Sequence, residues 1–247
     1  MRNIVDYEQH YLEHPFERYM EKYRRKIVKE AVKKYCKKGD SVLEIGCGVK
    51  PLFCDFKDQY SFTVIEPADS CYQNAKSLAE SYHNVECYQG CCEDIAELLK
   101  TKEFKMIICS SLLHEVEDPH LLLKSIGLMC NENTIVHMNV PNACSLHRLL
   151  ANEMGLTQDI HQLSDTNKIF QQHNVFDIDL LKQLVNEEGY QVLDEGSYFI
   201  KPFTHQQMQK CIDYEIFDTQ ILDGLDKLCR AELSKFGAEI YLNMQKK

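Results

Sequence analysis

The sequence predicts an α/β fold: a doubly wound, mostly parallel seven-stranded sheet with a helical and loop cap. Three observations carry this. Short apolar runs at 41–45, 61–65, 85–88, 104–110 and 134–139 alternate with helical patterns, the rhythm of a parallel sheet with crossover helices. The first run, holding Val42, Leu43 and Ile45 around an internal Glu44, ends in Gly46-Cys47-Gly48 and then Pro51. Such a turn lets the backbone pass close to a bound ligand. Twenty-two residues after Glu44, the second run ends beside another acid, Glu66.

Each element has its own signal. Residues 1–14 are polar and aromatic, the composition of a loose arm. Apolar residues at 16, 19, 20, 23, 27, 28, 31, 32 and 35 recur at helical spacing and predict a helix over 15–37, stopped by Lys38-Gly39-Asp40. A short helix is expected from Pro51 to Phe56, and another over 69–82 with Asp69 or Ser70 as cap. Helices follow at 93–100 and from Pro119 to Met129, where Asp118-Pro119 opens the first turn. Past Pro141 the pattern changes to polar, His-containing loops with a helical piece over 145–154. A helix over 177–188 is capped by Gly189. A strand or bent strand over 190–200, broken near Gly196, is followed by helix over 204–234 in one or two pieces around Gly224, and by a last strand at 238–244.

The 247 residues, 44% hydrophobic, suffice for one domain with a substantial core. Residues 1–38 form its amino-terminal helical arm, 41–140 its ligand-binding core, and 141–176 and 201–235 its cap. No run approaches the ~20 apolar residues of a membrane span, and the first residues lack a signal-peptide stretch. No membrane association and a cytoplasmic location are therefore expected. A net charge of −10 argues against nucleic acid as a partner. The basic residues between 16 and 38 are interspersed with acids, as on a solvated helix face. The twelve cysteines contain no C-x-x-C pair, so reduced thiols and no metal site are expected.

The motif VLEIGCG, the acid after the second strand, the Gly90-Cys91-Cys92-Glu93-Asp94 segment and SSLLHEVEDP after the fourth strand together resemble the class I S-adenosylmethionine-dependent methyltransferases, which have a Rossmann-like sheet. The resemblance covers residues 41–140. It implies that the Gly46-Cys47-Gly48 backbone packs against the methionine portion of the cofactor, and that Glu44 orders this loop. Glu66, followed by Pro67, would take the two ribose hydroxyls on its two carboxylate oxygens. Gly90, Cys91 and Cys92 would border the adenine, and Ser110 and Ser111 would lie below the methionine end. Two departures stand out. Val49-Lys50-Pro51 replaces the usual third glycine of the loop, and Cys91 stands where an acid is usual. A dinucleotide-binding G-x-G-x-x-G is excluded by Pro51 at its last position.

On the acceptor side, an oxygen nucleophile benefits from a base, and histidine titrates near neutrality. His114, after the fourth strand, and His147 are the candidate catalytic bases. Glu115, Asn139, Asn142, Arg148, Lys201 and His205 are the candidate acceptor contacts, with Arg148 and Lys201 suited to an anionic group. VPNACSLHRLLANEMG with the later FIKPFTHQQM more loosely resembles a bacterial subgroup of small-molecule and surface-glycan enzymes. That implies O-methylation of a sugar, sugar nucleotide or phosphorylated metabolite, in capsule or polysaccharide biosynthesis. An N-methyltransferase acting on a small amine or a protein is the alternative, and a non-catalytic cofactor-binding scaffold the third. Monomer and homodimer are both compatible with the sequence.

Overall fold

The computed structural model describes residues 15–164, 167–168 and 171–247; the arm expected at 1–14 lies outside them. Helix α1 (Glu17–Tyr35) leads to β1 (Ser41–Ile45), β2 (Ser61–Glu66), α2 (Asp69–Ala79), β3 (Val85–Gln89), α3 (Cys92–Leu99) and β4 (Met106–Ser110). Then follow α4 (Pro119–Leu128), β5 (Ile135–Pro141), α5 (Leu146–Glu153), α6 (Ile178–Glu187), β6 (Tyr190–Tyr198), α7 (His205–Asp213), α8 (Thr219–Ala231) and β7 (Glu239–Lys246). The seven strands form one sheet in the order β3-β2-β1-β4-β5-β7-β6. Pairings from β3 to β5 are parallel, and β7 runs antiparallel to both β5 and β6.

Alternation along the strands sends apolar side chains to both faces. Leu43, Ile45, Ile65, Ile107 and Cys109 pack with residues of α3, α4 and α6. Val42, Val64, Met106 and Ile108 pack with Val28 and Val32 of α1 and with Phe53. The chain leaves β1 toward β2 on one side, while β4 lies on the other. This reversal opens a crevice beyond the carboxyl ends of β1 and β4. No helix among the described residues is long and apolar enough to cross a membrane.

The structure corrects several boundaries. The short helix expected at Pro51–Phe56 is a 3-10 turn, Leu52–Asp55, followed by a second one, Lys57–Gln59, with non-helical geometry at Asp58. Asp69 and Ser70 are not the cap of α2; Ala68 occupies that position, and Asp69 takes a hydrogen bond from Gln89 instead. Strand β6 is not broken at Gly196; its irregularity falls between Val192 and Asp194. Gly196 is instead required by packing, since a Cβ there would lie 2.8 Å from the Tyr241 ring. The break expected at Gly224 falls between α7 and α8, at Tyr214–Asp218, where Glu215 has a φ of 57° and Asp218 caps α8 through Ile221 N.

Candidate functional site

The segment after β1 is held from every side. Gly46 N–H donates to Ile65 O at 2.8 Å, and Gly48 N–H donates to Glu66 Oε2 at 3.0 Å. Asn74 donates to Val49 O at 2.7 Å. The Arg25 guanidinium donates to Lys50 O at 2.6 Å and Pro51 O at 3.3 Å. Leu52 N–H donates to Glu44 Oε2 at 2.8 Å. Gly46 and Gly48 have φ values of 76° and 56°, which side chains rarely adopt. The loop lacks a third glycine, and these five anchors fix its exit in that residue's place. Arg25 belongs to the basic stretch that the sequence reading assigned to a solvated face. Its contact spans 25 residues of chain, and no local pattern signals it.

Glu66 is the centre of this arrangement. It is 5% exposed, and each carboxylate oxygen accepts one backbone N–H: Oε2 from Gly48, Oε1 from Ala68 at 2.9 Å. Gly90 N–H donates to Glu66 O at 3.2 Å. The 48 and 90 segments therefore both meet at Glu66, the first at its carboxylate and the second at its backbone carbonyl, and each carboxylate oxygen keeps a second lone pair for a diol. Pro67 continues from it toward α2. Cys91 caps α3 and is exposed. The Cys92 thiol is packed in the core and its pKa is raised by burial. Cys47 is buried too, and its thiol donates to Gly48 O.

Burial pushes the Glu44 carboxyl up to about 8, against the Leu52 N–H, which favours the carboxylate. A carboxyl raised in the folded state is stabilised as the acid, so ionisation opposes folding as pH climbs from 4.5 toward about 8. Glu44→Gln is therefore expected to melt above the wild type by a margin that widens over that window. A constant margin across the window overturns this.

Beyond β4, Ser111 adopts a φ of 56° and its N–H donates to Asn139 O at 3.0 Å. A Cβ on Gly46 would sit 3.6 Å from Leu112, so the β1 and β4 loops face each other across the crevice. Ser110 and Asn139 are paired in register. Asn139 Nδ2 donates to Ser110 Oγ at 2.9 Å and contacts His137 Nε2 at 3.2 Å, while His137 Nδ1 reaches Asn243 at 2.8 Å. Burial pulls His137 down to about 4 despite Asn243, so it is a neutral ring that orients Asn139 and, through it, Ser110. His114 is 2% exposed, with its Nε2 3.7 Å from Glu115 Oε1. Its carbonyl accepts N–H groups from His173 and Asn174, which lays residues 171–176 over the β4 loop.

The remaining predicted acceptor residues gather farther along the sheet. Asn142 spends its side chain on Lys235 O, Gly237 O and Cys144 N. Arg148 donates to Ile160 O, Gln162 O and Asn167, so its guanidinium braces the cap loop. Lys201 is 4% exposed, and its Nζ lies 3.2 Å from His205 Nδ1. His205 Nε2 is 3.2 Å from Glu17, which pairs with Arg24 at 3.0 Å; Arg24 pairs with Glu239 at 2.6 Å, and Tyr198 donates to Glu239. The structure thus brings Glu44, Gly46, Gly48, Glu66, Gly90, Ser110 and Ser111 to one crevice. His147, Arg148, Lys201 and His205 form a second polar group near the start of β7. No cluster of metal-ligating side chains occurs among the described residues.

A family profile described as methyltransferase domain matches residues 16–195. Similar solved structures include an S-adenosylmethionine-dependent methyltransferase of Thermotoga maritima described as a possible histamine N-methyltransferase. It is 17% identical, with a TM-score of 0.60 over 99% of this chain and 96% of that one. An S-adenosylmethionine-dependent methyltransferase of Mesorhizobium loti is 10% identical, with a TM-score of 0.60 over 88% and 96%. The [4+2]-cyclase SpnF is 13% identical, with a TM-score of 0.60 over 90% and 81%; a closely similar fold thus also carries a different reaction name. No curated protein sequence matches the chain at a significant level.

Proposed function

The chain belongs to the methyltransferase-domain family and is an S-adenosylmethionine-dependent methyltransferase, and from that premise we propose that it methylates an oxygen of a small-molecule acceptor beyond the carboxyl ends of β4 and β5. The crevice fits the donor. Glu66 keeps one lone pair on each oxygen for the ribose hydroxyls, and Gly46 and Gly48 offer backbone with no Cβ in the way. Bound there, the donor supplies an electrophilic methyl group on a sulfonium. Glu66 would hold the ribose, the Gly46–Gly48 backbone the methionine portion, and Gly90–Cys91 the adenine edge.

The observation that carries the oxygen reading is the placement of His114, a buried histidine beside Glu115, directly after the strand bordering the crevice. His114 would accept the proton of the acceptor's hydroxyl as that oxygen is methylated by the bound donor. His147 is worse suited to this. Burial, and then the charges of Lys201, His205 and Arg148, hold its pKa well below the ordinary value, which opposes taking up a proton. The acceptor we propose is a sugar, sugar nucleotide or phosphorylated metabolite of the kind used in bacterial surface-glycan pathways. The polar pair Ser110 and Asn139 and the cationic group around Lys201 support that class.

His114→Ala is expected to lower kcat by roughly 10²–10⁴-fold, measured as release of S-adenosylhomocysteine over a panel of hydroxylated acceptors. Turnover within a few-fold of wild type overturns the assignment. It would favour a nitrogen acceptor, the class named for the Thermotoga maritima neighbour, because a neutral amine needs orientation more than a base.

A further inference from the structure

Resting on the acceptor site proposed above, we propose that Lys201 and the amino end of α5 form an oxyanion subsite that holds a phosphate or carboxylate group of the acceptor. Two buried groups lack a hydrogen-bond partner among the described residues, and a third, Lys201, lacks a carboxylate at ion-pair distance. Lys201 is 4% exposed and contacts His205 Nδ1, yet it has no carboxylate in ion-pair contact among the described residues. Ser145 is the N-cap of α5 and is 0% exposed, but its hydroxyl makes no cap hydrogen bond and has no other partner among the described residues. His147 Nδ1, one residue into the same helix, is likewise buried without a partner.

Backbone hydrogen bonds bring these groups to one place. Ala238 N–H donates to Phe199 O at 2.8 Å, and Ala238 O accepts from Asn142 N–H at 3.0 Å. The 199–201 and 142–147 stretches therefore flank the same residue. The charge of Lys201 acts on His147, and that of Arg148 acts on Lys201, which places the cationic groups within electrostatic reach of one another.

An ammonium, a hydroxyl and an imidazole nitrogen at the positive end of a helix are all able to donate. A buried ammonium with no carboxylate in ion-pair contact is costly; burial outweighs the longer-range attraction of Glu17 and Glu239 and lowers Lys201 to about 8. At neutral pH it is still mostly charged. One oxyanion satisfies all three groups at once. Orienting hydrogen bonds here would anchor the acceptor's charged end and leave its hydroxyl to approach His114.

The test uses the full chain loaded with S-adenosylhomocysteine, titrated at constant ionic strength with inorganic phosphate and, separately, with acetate, by calorimetry. Saturable binding of at least one anion is expected, weakened at least about tenfold in Lys201→Met, weakened several-fold in Ser145→Ala and largely retained in Lys201→Arg. Tighter phosphate indicates a phosphorylated acceptor, and tighter acetate a carboxylated one. Equal anion affinity in wild type and Lys201→Met, or no saturable binding of either anion to wild type, overturns the subsite. Should Lys201→Met fail to fold, Ser145→Ala decides in its place, and wild-type affinity in that variant overturns the proposal. Affinity for S-adenosylhomocysteine is measured alongside in each protein. Its absence in the wild type strikes the proposed function, whereas its retention with no anion effect strikes only the subsite.

Discussion

Glu66→Ala is expected to bind S-adenosylmethionine at least about tenfold more weakly than the wild type. Each hydrogen bond to a charged group contributes about 1.5–3 kcal/mol, and about 1.4 kcal/mol is a factor of ten. Two losses combine. The ribose loses its carboxylate, and the Gly48 and Ala68 N–H groups lose their acceptor, which loosens the loop against which the methionine portion packs. Glu66→Gln keeps the shape but gives up one accepting oxygen and the charge, so an intermediate affinity is expected. Calorimetric titration distinguishes these outcomes, and an unchanged dissociation constant in Glu66→Ala would remove Glu66 from the cofactor site.

Arg24→Met carries the largest expected effect on stability. Arg24 donates to both oxygens of Glu239, at 2.6 and 2.9 Å, and to Glu17 at 3.0 Å. Glu239 is 3% exposed, and removing the guanidinium leaves a buried carboxylate facing the Tyr198 hydroxyl with no ion-pair contact among the described residues. Breaking a buried pair in this way costs about 3–5 kcal/mol. For a chain of this size that lowers the melting temperature by roughly 10 °C. Adding Glu239→Gln is expected to recover part of the loss, because it removes the stranded charge. The same network sets an acid limit. Burial alone would raise Glu17, but Arg24 and His205 outweigh it and hold the carboxyl down to about 2. A depressed carboxyl contributes stability above its ordinary value of 4.5 that is lost as pH falls toward about 2. Arg24→Met should flatten that loss in a thermal-melt series, because a Glu17 carboxyl without its cation rises toward its ordinary value and leaves little acid-sensitive stability to lose. An identical acid profile would show that Arg24 does not hold Glu17.

Much of the cofactor side was legible because its signals are local. Gly46 and Gly48 must take positive φ, and an acid closing a buried strand stands out against its apolar neighbours. Alternating apolar runs announce a parallel sheet wherever they occur. The antiparallel insertion of β7 between β5 and β6 leaves no such mark, because strand order is set by packing between distant segments. Side-chain allegiance was equally hidden. Arg148 and Asn142 have the residue types of acceptor contacts, yet they spend their hydrogen bonds on loop carbonyls. Arg25 has the pattern of a solvated charge and anchors the glycine loop.

The sequence by itself determined the fold class and the methyl donor, since each follows from short-range periodicity or from a motif a few residues long. Only the tertiary structure decided which polar side chains are already satisfied and which are not. That depends on partners up to 215 residues apart, as for Arg24 and Glu239. The difference is physical: backbone conformation and strand burial are encoded in neighbouring residues. A buried hydrogen bond is encoded only in the folded distance between its two ends.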